Sequence, residues 1–279
     1  MFEFKTFKPN IKLQQWVKSY WFVNYDKTNM ITNEEKIVLP YDNICLLFIV
    51  DSEDDITYSN KSLKSGIYIC PPSLDRHTLN LDSNLYYIDV SLYPGVFFKL
   101  FGIPVSELED KLYEINELSL NFDSSIISQL HELKANTLAS LNLLDNYLFK
   151  IFRDMQEDTL LSNLFELTKN HNLDNFYDQN RLSIRQTQRK VKEFTGMTPK
   201  SIERINRFYS TLKLIKVLLI LKKLQLKITS MTNPLLLKNS NFSQELLQLY
   251  FFYMQRIFCN IDVQFFVNLQ PSCSVILNL

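Results

Sequence analysis

The chain has 279 residues with 30 basic and 30 acidic side chains, and it is 46% hydrophobic and 13% aromatic. That composition is sufficient for one large or two ordinary domains, and it excludes a disordered chain, a collagen and a coiled-coil rod. The longest clean apolar runs, such as Cys45 to Val50, are too short to span a bilayer. The first residues, MFEFKTFKPN, lack the apolar stretch of a signal peptide. These features are typical of a soluble, cytoplasmic protein.

Residues that carry catalytic or metal chemistry are few and scattered. The four cysteines contain no CxxC pair, so we interpret them as reduced core residues, with a disulfide set or a zinc site as the alternatives. The sequence has no HExxH, GxSxG, Walker loop or GxGxxG, and its four glycines leave little material for a phosphate-binding loop. We therefore expect no metal, no cofactor and no enzymatic activity.

The first 122 residues are rich in Tyr, Phe, Ile and Val and predict a β-rich domain. One helix is expected near Gly95 to Phe101. The many aromatic side chains of this part are interpreted as core, with an effector pocket as the alternative. Four strand-like runs, separated by polar turns, are Val17 to Tyr25, Ile44 to Val50, Gly66 to Cys70 and Leu85 to Leu92.

Residues 123 to 170 have apolar side chains at spacings of three and four, which predicts helices. We assign residues 123–154 to a helical linker. The apolar positions are Ile127, Leu130, Leu133, Leu141, Leu144, Leu148 and Ile151.

The neutral total charge conceals an asymmetry between the two parts of the chain. Residues 1–170 have 15 basic and 24 acidic side chains, a net charge of −9, whereas residues 171–279 have 15 and 6, a net charge of +9. Ten basic and two acidic residues lie between Arg181 and Lys216. Such a block favours an anionic partner, with nucleic acid first, although a solvated helix face would also have this composition.

The segment from Leu173 to Lys216 predicts a helix-turn-helix. A short helix at Leu173 to Asp178 is followed by a turn, and Ser183 with Gln186 forms a capping box for the next helix. Gly196 suits the end of that helix, and Thr198-Pro199 suits the start of a long one. The long helix is expected to bury Ile202, Ile205, Tyr209, Leu212 and Ile215.

The middle helix of this segment is amphipathic. At 100° per residue, Ile184, Thr187, Val191 and Phe194 lie on one arc, which predicts that Ile184, Val191 and Phe194 form its core. The opposite face has Arg185, Arg189 and Glu193, flanked by Gln186 and Lys192. Arg can bind guanine and Gln can bind adenine through two hydrogen bonds each, so this face suits base recognition in a major groove.

The stretch LSIRQTQRKVKEFTGMTPKSIERINRFYSTLKLI resembles the first helix-turn-helix of AraC/XylS-type transcriptional regulators. The shared features are L-S-x-R, then G-x-[ST]-P-K, then a long helix with R-x-x-R-F. Two N-terminal segments, LQQWVKSYWF and Ile88 to Ile115, resemble the sensor domain of one AraC-type subgroup. The resemblance spans most of residues 10–216 and implies a ligand-responsive regulator.

The sequence departs from that family after Lys216. AraC-type regulators have a second helix-turn-helix ending in another G-x-[ST]-P, and residues 217–279 show none. In a shifted reading frame, however, Leu235 to Gln248 can encode I-I-K-E-F-K-L-F-T-G-I-T-P, which parallels Thr187 to Pro199. Our hypothesis is that a single-base insertion or deletion near codon 216 replaced the second module with an atypical tail. A divergent tail with its own fold is the alternative.

Together these features predict an α+β protein with a sensor or dimerisation domain (1–122), a helical linker (123–154), a helix-turn-helix region (155–216) and a tail (217–279). The expected function is sequence-specific DNA binding and transcriptional regulation. The alternative is a ligand- or partner-binding protein that has lost DNA affinity. Expected partners are double-stranded DNA, a small-molecule effector and a second copy of the chain. No association with a membrane is expected. The expected base-reading residues are Arg185, Gln186 and Arg189, and the expected phosphate contacts are Lys190, Lys192, Lys200 and Arg204.

Overall fold

The computed structural model describes residues 2–26, 34–52, 57–58, 61–81, 84–156, 158–232 and 276–278. The described side chains end at Ile215. The chain is a mixed α+β protein: a β-rich region over residues 5–118 is followed by helices. None of the helices in these ranges is long and apolar enough to cross a membrane.

Eleven strands within the described ranges form two antiparallel sheets. The six-stranded sheet has the order β1-β2-β9-β4-β7-β10, and the five-stranded sheet has the order β11-β3-β8-β5-β6. The strands are β1 (Phe2–Phe7), β2 (Val17–Tyr25), β3 (Glu34–Val38), β4 (Cys45–Ser52), β5 (Thr57–Tyr58), β6 (Lys61–Ser62), β7 (Gly66–Cys70), β8 (His77–Leu81), β9 (Leu85–Leu92), β10 (Tyr113–Glu114) and β11 (Ile276–Asn278).

Both faces of the six-stranded sheet are buried, which is why its central strands read as continuous apolar runs. Alternate residues such as Leu46 and Phe48 pack with the helices that follow the sheet, while Cys45 and Leu47 face the five-stranded sheet. A strand buried on both faces has no polar alternation, so β4 remains apolar from Cys45 to Val50.

Three helices complete the first core. They are α1 (Val96–Phe101), α2 (Ser125–Glu132) and α3 (Thr137–Phe152), with 3-10 turns at Val105–Glu107 and Ile115–Leu118. Leu130, Leu144 and Leu148 are fully buried against the sheet. The predicted helical linker is therefore part of the hydrophobic core of the β-rich region, because its apolar stripe has the sheet face to cover.

Four helices form a second core. They are α4 (Thr159–Asn170), α5 (Leu173–Gln179), α6 (Ile184–Thr195) and α7 (Pro199–Thr232). Asp158 caps α4 by accepting hydrogen bonds from the backbone of Leu160 and Leu161 at 2.8 and 3.2 Å. The cluster contains Leu164, Leu167, Phe176, Val191, Met197, Ile202 and Ile205.

The region after Lys216 is only partly described. Helix α7 continues through Thr232, and β11 pairs with β3, with Leu277 opposite Ile37. The prediction that residues 217–279 contain no second helix-turn-helix falls largely on residues 233–275 and 279, which lie outside the described ranges.

Candidate nucleic-acid interface

Helix α6 begins and ends where its local sequence indicates. Ser183 accepts a hydrogen bond from the backbone N–H of Gln186 at 3.3 Å, and the Gln186 side chain accepts one from the Ser183 N–H at 3.1 Å. Gly196 has the left-handed conformation, with φ 72°, and donates its N–H to the Lys192 carbonyl. These two caps satisfy backbone groups that a helix end leaves unpaired, so they fix where α6 begins and ends.

Helices α5 and α6 are joined by a turn and held together by side chains. Phe176 of α5 and Val191 of α6 are buried in the same cluster, with 2% and 0% of their surfaces exposed. Gln188 donates a hydrogen bond to the hydroxyl of Tyr177 at 3.2 Å. Asn163 of α4 donates to Asn180 in the turn at 3.1 Å. The short helix, the turn and the capped helix thus form one packed unit.

The buried side of α6 differs from the predicted core at its first residue. Thr187 and Val191 are fully buried, but Ile184 is 57% exposed, so the prediction that Ile184 is core is wrong. The position of a residue on the helical arc predicts which way its side chain points, but not how deeply that side chain is buried. Ile184 is the first helical residue, and the hydrophobic cluster reaches α6 only at Val191.

Phe194 is half-buried, and its ring lies at the boundary between the two cores. It stacks on Phe98 of α1 with ring centroids 4.1 Å apart and planes 24° apart. The ammonium group of Lys99 lies 5.9 Å from the centroid of the same ring. The sequence predicts that Phe194 belongs to the core of the helix, whereas the structure leaves it half-buried at the contact with the β-rich region.

The outer face of α6 is exposed. Both predicted base-reading arginines, Arg185 and Arg189, are solvent-exposed, and Glu193 adds one acidic, half-buried side chain near the C-terminal end of this face. The side chains predicted to contact phosphates are also exposed: Lys190 and Lys192 on α6, and Lys200 and Arg204 in the first turns of α7.

Gln186 is exposed as well, but its side chain is already engaged. Its Oε1 accepts hydrogen bonds from both the backbone N–H and the hydroxyl of Ser183, at 3.1 and 2.9 Å. A two-hydrogen-bond contact with adenine needs both Oε1 and Nε2. Gln186 can therefore make that contact only by giving up the capping box.

Helices α4 and α6 also contact the β-rich region. A Cβ on Gly196 would lie 3.1 Å from Val105 Cγ1 and 3.3 Å from the Val105 carbonyl oxygen, so glycine is required both for its φ and for this close approach. Tyr93 meets Phe165 of α4 edge to face with centroids 4.5 Å apart. Lys99 forms an ion pair with Asp158, the N-cap of α4.

A buried polar contact ties α7 to the segment before β4. Asn206 donates a hydrogen bond from Nδ2 to Oδ2 of Asp42, whose other carboxylate oxygen lies 3.8 Å from Lys18 Nζ. The hydroxyl of Tyr209 donates to the carbonyl of Pro40 at 2.8 Å. Sequence reasoning missed Asp42 and Asn206, since neither belongs to a motif and they lie 164 positions apart.

The described residues include no group of three or more His, Cys, Asp and Glu side chains that could hold a metal ion.

Comparison with known families gives a match within the β-rich region. Residues 5–114 match a family described as a domain of unknown function, DUF6597. No curated protein matches the chain. No solved structure matches it either. The matched residues include the end of β1, strands β2 to β10 and helix α1.

Proposed function

We propose that the protein is a sequence-specific DNA-binding transcriptional regulator that responds to an effector through its N-terminal domain. The observation that carries the proposal is the exposed basic face of α6, which is set by two caps and held clear of the hydrophobic core. A recognition helix needs this arrangement, because only a helix with one free polar face can enter a major groove.

Two further features support DNA as the partner. The net charge of +9 after residue 170 favours a polyanion as the partner. The exposed lysines lie on either side of the two arginines, which is the arrangement expected when lysines contact phosphates and arginines contact bases. The DUF6597 domain is known from the N-termini of AraC-type regulators, in agreement with the resemblance carried by residues 182–215.

A ligand- or partner-binding protein without DNA affinity is the second candidate. It is favoured by one observation, the missing G-x-[ST]-P of a second module after Lys216. One helix-turn-helix makes fewer phosphate contacts than two, and affinity falls steeply with the number of such contacts.

The affinity for a fluorescent duplex at graded salt concentrations separates these candidates. Each phosphate contact contributes about 0.9 to the slope of log affinity against log salt. Replacing Lys190, Lys192 and Lys200 together by Gln should therefore reduce that slope by nearly three. The matched control replaces Lys5, Lys8 and Lys12, which are equally exposed and outside the interface, and should leave the slope unchanged.

Two results would reject DNA binding through this face. One is no measurable binding of duplex DNA by the parent chain at low salt. The other is an equal loss of slope in the α6–α7 variant and in the N-terminal control.

A further inference from the structure

The first turn of α6 departs from what the stability of a helix favours. Acidic side chains stabilise the N-terminal turn of a helix, because they oppose the positive end of its dipole. The first turn of α6 contains no acidic residue, and its second position is Arg185. A positive charge at this end is unfavourable for the helix itself, and such local conflicts are expected where a residue serves a function.

Two exposed apolar side chains lie beside that arginine. Ile184, the first residue of α6, is 57% exposed, and Leu182, which precedes the capping Ser183, is 36% exposed. Within the described residues, the hydrophobic cluster of the helix-turn-helix includes neither of them. Isoleucine also has a lower helix propensity than alanine or leucine. Neither the packing of the module nor the stability of the helix therefore accounts for an isoleucine at this position.

The apolar pair is bracketed by positive charge. Arg181 and Arg185, which precede and follow the pair in sequence, are both exposed. The other large hydrophobic side chains that are exposed in the described part of the chain are scattered along it. Single exposed hydrophobic residues are ordinary on a protein surface, whereas this pair lies at the N-terminal end of the helix with the basic outer face.

The position of the pair on α6 indicates what it contacts. The capping box sets the first turn of the helix at Ile184 and Arg185. In helix-turn-helix proteins the N-terminal residues of the recognition helix contact base edges in the major groove. An arginine there meets the acceptors of guanine, and the apolar group that the major groove presents is the C5-methyl group of thymine. One occupant thus accounts for both the arginine and the isoleucine.

A partner protein fits this patch less well than DNA does. Stable protein interfaces involve about 20–30 residues on each side, whereas the apolar patch consists of Leu182 and Ile184. The exposed side chains around it include Arg181, Arg185 and Arg189, which favour a polyanion.

We propose that Ile184 is a specificity-determining residue that packs on the C5-methyl group of a thymine in the major groove. Leu182 adds apolar surface at the same end of the helix. The inference rests on the proposed function and deepens it, because it names a base that the protein prefers besides guanine. Since Arg185 is the next residue, the thymine is expected close to a guanine of the site.

Replacement of thymine by uracil tests this contact, because uracil lacks only the C5-methyl group. Duplexes that the full chain selects from a random pool are synthesised again with deoxyuridine at one thymine at a time. Their affinities are measured at one salt concentration. We expect a position at which uracil weakens binding by about fourfold, the effect of removing one methyl group from an apolar contact.

Variants assign the effect to Ile184. Ile184→Ala should bind the thymine duplex about fourfold or more weakly and should no longer distinguish thymine from uracil at that position. Ile184→Val keeps most of the apolar side chain and should retain most of the discrimination. Leu138→Ala, which shortens a 70% exposed leucine on α3, is the matched control and should change neither quantity. Far-ultraviolet circular dichroism of Ile184→Ala should match the parent, because the side chain is exposed and alanine favours a helix.

Three results would overturn the inference while leaving sequence-specific DNA binding intact. They are a selected motif without thymine, equal affinity for thymine and uracil at every position, and discrimination by Ile184→Ala as strong as that of the parent. If no motif is selected at any salt concentration, the proposed function itself is wrong and the inference is wrong with it.

Discussion

Asp89 should make the stability of the protein depend on pH. Its ordinary pKa is 3.8, and burial raises the folded-state value to about 7, so the folded protein binds more protons between these values. The resulting contribution to stability is fully present below about pH 4 and is lost as pH rises through 7, at up to about 1.4 kcal/mol per pH unit.

Urea unfolding of the parent and of Asp89→Asn between about pH 5 and pH 8 measures this contribution. The difference between the two proteins should shift in favour of the variant as pH rises. Comparing them removes the titration of the histidines, which both share. Parallel stability curves would show that Asp89 is ionised in the folded protein throughout this range.

Arg189 and Lys200 should differ in what they contribute to DNA recognition. Arg189 lies on the outer face of α6, and Lys200 lies just beyond it at the start of α7. Arg189→Ala should reduce the free energy of binding to a preferred site by about 1–3 kcal/mol, through one base pair, and should change binding to random duplex little. Lys200→Ala should weaken all duplexes alike and lower the salt slope by about one. Equal losses for Arg189→Ala on preferred and random duplexes would remove its assignment as a base-reading residue.

The sequence predicts where many helices and strands begin and end, but it does not predict which strands pair with one another. Ser183, Gly196 and Pro199 mark helix boundaries through backbone chemistry that depends only on neighbouring residues. The apolar runs of β2, β7 and β9 can also be predicted, because they too depend only on neighbouring residues in the sequence. Strands β3 and β8, with sequences EEKIV and HTLNL, carry no such run, because they belong to the smaller sheet and are defined by pairing with each other.

The candidate interface shows the same contrast between local signals and long-range contacts. The exposed arginines follow from helical periodicity, but the exposure of Ile184 depends on where the neighbouring helices end. Asp89 could be seen in sequence as one acidic residue within an apolar strand. That it lines a cavity depends on the second sheet, which the local sequence does not specify.

Helix α6 should lose different contacts when Val191 and Phe194 are changed. Val191 is buried within the helix-turn-helix, so Val191→Ala should cost about 2 kcal/mol of that module's stability. Phe194 stacks on Phe98, so Phe194→Ala should chiefly loosen the contact with α1.

Hydrogen exchange distinguishes the two changes. Phe194→Ala should increase exchange in both α1 and the C-terminal end of α6, whereas Val191→Ala should increase exchange in α4, α6 and α7 with little change in α1. If α1 exchanges at the parental rate in Phe194→Ala, the stacking contact does not hold the two regions together.

For the whole molecule, the tail should limit DNA affinity. Two helix-turn-helix modules would occupy neighbouring major-groove segments about 34 Å apart, whereas one module makes fewer phosphate contacts. A coding sequence whose frame is restored near codon 216 should therefore give a protein with higher duplex affinity at the same salt concentration. Unchanged affinity, or a compact protease-resistant unit formed by residues 217–279 of the present chain, would contradict the frameshift hypothesis.

Selection of binding sites from a pool of random duplexes is the most direct test of sequence-specific DNA recognition by this protein. The parent chain should enrich a short motif containing guanine, since Arg185 and Arg189 on the outer face of α6 are exposed and suited to that base. Arg189→Ala should retain DNA but lose preference at one position of the motif. A pool that keeps its starting composition after selection at every salt concentration would contradict the account.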